Sequence, residues 1–255
     1  MAGDPADRWE ELKVGLMMLT RLPVGQIRGE APALAASAWS WPLAGLAVGS
    51  LAAAVYWLAT VLGLPGALAA ALAVLALVLA TGGLHEDGLA DLADGFGGGR
   101  DRARVLEIMR DSRIGSYGTL AIGFSLLIRV LAIGALARCD AIWGLLAIGA
   151  ASRAVMPAAL HLLPPARSEG LGSGASGVTQ EAALVASLIG GACLLPFGLV
   201  DAALVAAAMA GTAVWLGRRA AARIGGQTGD VCGAMQQLAE GAGWLALVAL
   251  QGAAP

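Results

Sequence analysis

Apolar residues recur along the chain in long runs, over residues 43–62, 64–80, 120–137, 141–162, 182–200 and 201–216, with a weaker run at 244–254. Such runs approach the roughly 20 residues that cross a bilayer's hydrocarbon as a helix. The pattern predicts six membrane spans and a short seventh. Three breaks, at 63–65, 138–140 and around 196–201, leave room for little beyond a hairpin, whereas 82–118, 163–181 and 217–239 are long and polar. Counted from an N-terminus in the cytoplasm, all three long segments fall on the same side as that terminus. Ahead of the first span, Trp9, Leu12, Leu16 and Leu19 recur at helical spacing opposite Glu10, Lys13 and Thr20. That is an amphipathic helix, either lying in the interface or packed on the spans. Residues 1–32 mix acids and bases before any apolar run, which is not the order of a signal peptide, so no cleavage is expected. No internal repeat is visible. Residues 1–255 therefore read as a single membrane-embedded domain, with an interfacial N-terminal segment at 1–40 and an acidic loop at 82–118. The expected fold is all-α, a polytopic integral membrane bundle of six or seven transmembrane helices behind an N-terminal interfacial helix.

Composition agrees, with 58% hydrophobic and 13% charged residues, where soluble domains are about a quarter charged. A net charge of -2 leaves no basic surface for a nucleic acid. Cys139, Cys193 and Cys232 are too scattered for a disulfide framework or a zinc site. The arginines from Arg100 to Arg113, with Arg167, Arg218, Arg219 and Arg223, lie in the long segments, while the opposite face carries Arg138 alone. By the positive-inside rule the long segments face the cytoplasm. Arg129 and Arg153 fall inside predicted spans, where a charge must be paired, snorkel or serve an anion site opening toward the cytoplasm. His161, near a span end, reads as a satisfied interfacial histidine.

The chemistry is concentrated just after the second span, in Gly82-Gly83-Leu84-His85-Glu86-Asp87-Gly88-Leu89-Ala90-Asp91-Leu92-Ala93-Asp94-Gly95. On a helix, Asp87, Asp91 and Asp94 share one face. No lysine stands at helical spacing to pair with them, so the row repels itself unless a cation sits among its members. Hard oxygen donors point to Mg²⁺ or Mn²⁺. Downstream lie Gly97-Gly98-Gly99-Arg100-Asp101 and Met109-Arg110-Asp111-Ser112-Arg113-Ile114-Gly115, where glycine backbone and arginine forks suit a phosphate. The segments 167–174, with Arg167, and 225–233, with Thr228 and Asp230, pair glycines with hydroxyls and charge, as either binding loops or capping turns would. Carboxylates that hold a metal opposite arginines are the recurring equipment for cleaving a phosphoanhydride.

These blocks, together with Leu19-Thr20-Arg21-Leu22-Pro23-Val24, Trp41-Pro42-Leu43-Ala44-Gly45, Ser152-Arg153, Glu169-Gly170-Leu171-Gly172 and Gly225-Gly226-Gln227-Thr228-Gly229-Asp230, run nearly end to end. In them the chain resembles the adenosylcobinamide-GDP ribazoletransferase (cobalamin synthase) family. Gln227 stands where that resemblance leads one to expect an aliphatic residue. The resemblance implies an enzyme of the bacterial cytoplasmic (inner) membrane. Its partners would be adenosylcobinamide-GDP, α-ribazole or its 5′-phosphate, and the lipid bilayer, with Mg²⁺ as cofactor; assembly into a homo-oligomer stays open. The products would be adenosylcobalamin or its 5′-phosphate, and GMP. It implies Asp87, Asp91 and Asp94 as metal ligands, and Glu86 as a fourth ligand or the general base, a role for which His85 competes. Arg110 and Arg113 would hold the diphosphate, within a substrate-binding set completed by Asp111, Ser112, Arg153, Arg167, Thr228 and Asp230. A CDP-alcohol phosphatidyltransferase or a prenyltransferase would also use aspartate rows, but their characteristic spacings are absent. A transporter would spread its ionisable residues through several spans.

Overall fold

A computed structural model describes residues 5–27 and 29–252; Arg28 and the last residues of the weak seventh run lie outside them. In chain order the helices are α1 (Pro5–Leu19), α2 (Trp41–Val61), α3 (Gly66–Thr81), α4 (Leu84–Gly98), α5 (Arg102–Ile108), α6 (Ser116–Ala135), α7 (Arg138–Leu162), the single turn α8 (Leu171–Gly174), α9 (Gln180–Leu194), α10 (Leu199–Ile224) and α11 (Gly229–Gln251). A 3₁₀ turn at Leu34–Ser40 leads into α2. Among the described residues there is no strand, only one bridge between Pro165 and Gln227.

Among the described residues five helices are long and apolar enough to cross a membrane: Leu34–Val61, Ser116–Ala135, Arg138–Leu162, Gln180–Phe197 and Leu199–Ile224. Helices α3 and α4 make a sixth candidate only when taken together, as a pair bent by 89°. The reason for the bend lies in Gly82 and Gly83, both left-handed at φ 70° and 71°. Two consecutive residues there are cheap only for glycine.

The segment 217–239, expected to be a polar loop, is helical except around the turn at 225–228. Helix α10 continues to Ile224 and α11 starts at Gly229. The weak seventh run is thus the second half of a 23-residue helix, whose first half carries Asp230, Gln236, Gln237 and Glu240. It is no apolar span, yet Gln236, Gln237, Glu240 and Trp244 are buried among its neighbours. The acidic segment 82–118 likewise consists mainly of α4 and α5.

Helices α2 and α7 cross closely because Gly45 and Gly49 lie one turn apart against the backbone of Gly149 and Leu145. Small residues at such spacing let helices touch where lipid offers no hydrophobic drive. Helix α1 packs on the bundle instead of lying free. Its Gly15 faces Ser40 and Trp41, Trp39 donates to Glu11 at 2.6 Å, and buried Lys13 pairs with Glu10 at 2.9 Å. Trp9 remains on the outside.

Candidate active site

The three long segments are tied together at one end of the bundle. Arg102 donates to the carbonyls of Ile224 and Ala166, both at 2.7 Å. Gln227 and the strip around Pro164 exchange backbone hydrogen bonds at 2.8 Å each. The buried amide of Gln227 also donates to the Gly172 carbonyl at 3.1 Å. A polar residue here, where an aliphatic one is expected, pins one loop to the next.

Against this platform lies α4. Its Gly88 sits on the backbone of Asp230, where an added Cβ would stand 3.0 Å from the carbonyl oxygen. That approach brings Asp230, in the first turn of α11, to the carboxylates of α4. Thr228 caps α11 through Val231 N–H at 3.2 Å, and its hydroxyl donates to Asp230 Oδ2 at 3.2 Å. Arg167 donates to the same oxygen at 2.6 Å. Burial raises the Asp230 carboxyl, and Arg167 and Thr228 oppose that rise. Asp91 has less help. Burial first, then the charges of Asp87, Asp230 and Asp94, push it up to about 7, with Arg167 the opposing influence.

The acidic row divides. Asp87 is exposed and Asp91 half-buried. Asp94 is spent on structure, accepting from Gly115 N–H at 2.6 Å and Gly118 N–H at 2.9 Å and so holding the first turn of α6. Glu86 points the other way, into the bundle. There it accepts from Arg129 Nη2 at 2.8 Å and Gln237 Nε2 at 3.2 Å. Arg129 also reaches Glu240 at 3.5 Å. Gln236 donates to Glu240 at 2.6 Å and to Ser152 at 2.9 Å. Arg153 donates to the Gly149 carbonyl at 2.8 Å. The two arginines expected inside spans are therefore members of a buried polar network, and Glu86 belongs to it. His85 is buried, and its Nε2 has no hydrogen-bond partner. Among the described residues no group of three or more His, Cys, Asp and Glu side chains is drawn together as a preformed metal cluster.

Arg110, Asp111, Ser112 and Arg113 lie between Met109, which packs on Gly95, and Gly115, which Asp94 holds, one to two turns along α4 from Asp91. Arg113 forks onto Asp111 at 3.0 and 2.6 Å and holds that exposed carboxyl down at about 2. His161 meets the Val178 carbonyl at 2.9 Å, as a satisfied histidine should. The sequence assigns no site role to Gln236, Gln237 or Glu240, nor to Arg21. Arg21 lines a polar cavity of about 920 Å³ with Thr20, Thr81, Gly82, Glu86 and Asp87. Its guanidinium packs against Gly82, and its backbone N–H donates to the Ala80 carbonyl at 2.6 Å. The signal for the glutamines is their placement beside Glu240 within a helix otherwise apolar; that for Arg21 is its place in the block Leu19-Thr20-Arg21-Leu22-Pro23-Val24.

The family profile described as cobalamin-5-phosphate synthase matches residues 11–248. The chain belongs to the cobalamin-5-phosphate synthase family. Relatives in this family include the adenosylcobinamide-GDP ribazoletransferase of Mesorhizobium japonicum, 46% identical over 244 residues, with 92% of each chain covered. That of Azorhizobium caulinodans is 46% identical over 242 residues, covering 90% of this chain and 92% of its own. That of Bradyrhizobium diazoefficiens is 43% identical over 235 residues, 90% of each. No solved structure matches the chain. Membership makes the chain a membrane-embedded transferase of cobalamin biosynthesis, and the family profile spans both α4 and α11.

Proposed function

We propose that the chain transfers the adenosylcobinamide phosphate of adenosylcobinamide-GDP to α-ribazole or its 5′-phosphate, with Mg²⁺, on the cytoplasmic face of the bacterial inner membrane. The observation that carries the reading is the close packing of Gly88 on the Asp230 backbone, which sets Asp230 beside Asp87 and Asp91 of α4; burial first, and then these neighbouring charges, raise the Asp91 carboxyl to about 7. Three hard-oxygen donors in one another's field suit a small divalent cation. Asp87, Asp91 and Asp230 would hold it, in place of the row of Glu86, Asp87, Asp91 and Asp94. Glu86 is taken up by Arg129 and Asp94 by the start of α6. When bound, Mg²⁺ neutralises charge on the diphosphate and the leaving phosphate.

The rest falls to the chain. Both Arg167 and Arg113 are paired with a carboxylate, but the pair of Arg167 is with Asp230 and its charge is felt at Asp91, so it is Arg167 that stands beside the proposed cation, while Arg113 is paired on its own loop with Asp111. Arg21 brings a second guanidinium to the Asp87 side. The ribose 3′-hydroxyl of α-ribazole attacks the phosphorus nearest the cobinamide, a phosphorus–oxygen bond forms, and the anhydride bond to GMP breaks. GMP departs with the electron pair of that bond, and the hydroxyl proton passes to water. Orientation toward the cytoplasm is supported by the arginine bias of the long segments.

Product analysis on detergent-purified protein tests this. GMP should appear only with both adenosylcobinamide-GDP and α-ribazole present, vanish with chelator and return with Mg²⁺. GMP release that ignores α-ribazole, or full turnover in chelator, would overturn the proposal.

A further inference from the structure

A second cavity, of about 130 Å³, opens beside Asp87 and Asp230 and shares Met18, Leu84 and Asp87 with the polar one. It lies where the end of α1 and the start of α2 meet α4, α7 and α11. Trp41, Leu84, Met156 and Leu160 form apolar walls, and His85 completes them. Trp41 is held in place by its Nε1–H, which donates to Ser37 at 3.1 Å. Apolar walls with a few converging polar groups are the usual make-up of a small-molecule pocket. Two features narrow the occupant. Methionine and tryptophan beside a slot favour a flat aromatic ring, and a dry apolar space of roughly 150 Å³ takes one benzene ring. His85 is 2% exposed, yet its Nε2 has no partner. A buried polar nitrogen left in this way calls for a ligand atom. A neutral imidazole and an unsubstituted heteroaromatic nitrogen satisfy each other.

We propose that this cavity seats the flat heteroaromatic base of the acceptor nucleoside, His85 bonding a ring nitrogen while the sugar hydroxyl stands at the rim beside Asp87 and Asp230. The inference rests on the proposed function and deepens it by dividing the two substrates. The larger cavity, polar and bearing Arg21, suits the diphosphate donor. Asp87 borders both spaces, so the attacking hydroxyl and the phosphorus it attacks would meet beside it. His85 is then a positioning residue for the acceptor.

Leu160→Trp should fill the cavity, raising the KM for α-ribazole about tenfold or more while moving that for adenosylcobinamide-GDP less than about twofold. His85→Leu should raise the same KM, and His85→Asn, which keeps a hydrogen-bonding nitrogen, should recover part of the loss. Free benzimidazole should inhibit the unaltered enzyme competitively against α-ribazole and not against the corrinoid substrate. This last measurement needs no variant and decides the matter if Leu160→Trp does not fold. Wild-type turnover without competition by benzimidazole, or an unmoved α-ribazole KM in both Leu160→Trp and His85→Leu, would overturn the cavity assignment alone. Absence of GMP release by the unaltered enzyme would overturn the proposed reaction instead, and benzimidazole binding would then be read by quenching of tryptophan fluorescence. Quenching lost in Leu160→Trp upholds the cavity; quenching retained there removes it.

Discussion

Asp91 is surrounded by Asp87, Asp94 and Asp230 with only Arg167 to relieve it, and it retains its proton up to about 7. Its pKa in an unfolded chain is near 3.8. The folded state thus binds the additional proton between those values, so this group's contribution to stability in metal-free protein declines as pH rises through that window. A divalent cation must expel the same proton. Mg²⁺ affinity is expected to fall about tenfold per pH unit below 7 and to level off above it. Asp91→Asn should flatten that profile, and Asp87→Asn or Asp91→Asn should each lower turnover by about two orders of magnitude. Mg²⁺ titrations from pH 5.5 to 8.5 would check it; an affinity independent of pH would remove Asp91 from the site. The helical spacing makes the Asp87, Asp91 and Asp94 row legible in the sequence, but not its division. What takes Asp94 out of the row is the pair of amides on Gly115 and Gly118, which are 21 and 24 residues away. What takes Glu86 is Arg129, 43 residues away on another helix.

At the scale of elements, α4, α6 and α11 are joined by Arg129 between Glu86 and Glu240. Removing one partner from a buried ion pair leaves a charge without compensation, and costs about 3–5 kcal/mol. Arg129→Met should therefore lower thermal stability in detergent sharply. Glu86→Gln added to Arg129→Met should restore part of it, because the double variant buries one charge fewer. Equal melting temperatures for Arg129→Met and the unaltered protein would show the network to be incidental to stability. Five apolar runs and the paired α3 are readable from hydropathy, since each faces lipid or a small-residue interface along much of its length. Helix α11 is hidden from the same reading. It is wrapped by α10, α7, α4 and α6, so its polar face meets protein and its sequence resembles a loop.

For the molecule as a whole, the packing gathers the long segments at one end and leaves the α6–α7 hairpin at the other. Cys139, exposed in that hairpin, should be labelled in intact cells by a thiol reagent that stays outside the inner membrane. Cysteines placed at the exposed positions Gly98 and Gly174 should react only after permeabilisation. Labelling of Gly98→Cys and Gly174→Cys on opposite sides would break the site apart.

The buried network also bears on how the chain is made. Arg129 and Arg153 enter the membrane with α6 and α7, accompanied by Glu86 alone, and Glu240 follows Arg129 by 111 residues. Until α11 has been made, two guanidiniums face one carboxylate, and the unfinished protein carries an excess positive charge where hydrocarbon should be. Synthesis therefore has a final, completing event, and stability should arrive late and at once. A chain stopped after Thr228 is expected to be cleared by membrane proteases, and to accumulate when residues 229–252 are made alongside it as a separate polypeptide. Pulse-chase labelling of the two halves would show this; a half-life for the stopped chain equal to that of the whole would mean that the earlier helices compensate one another without it.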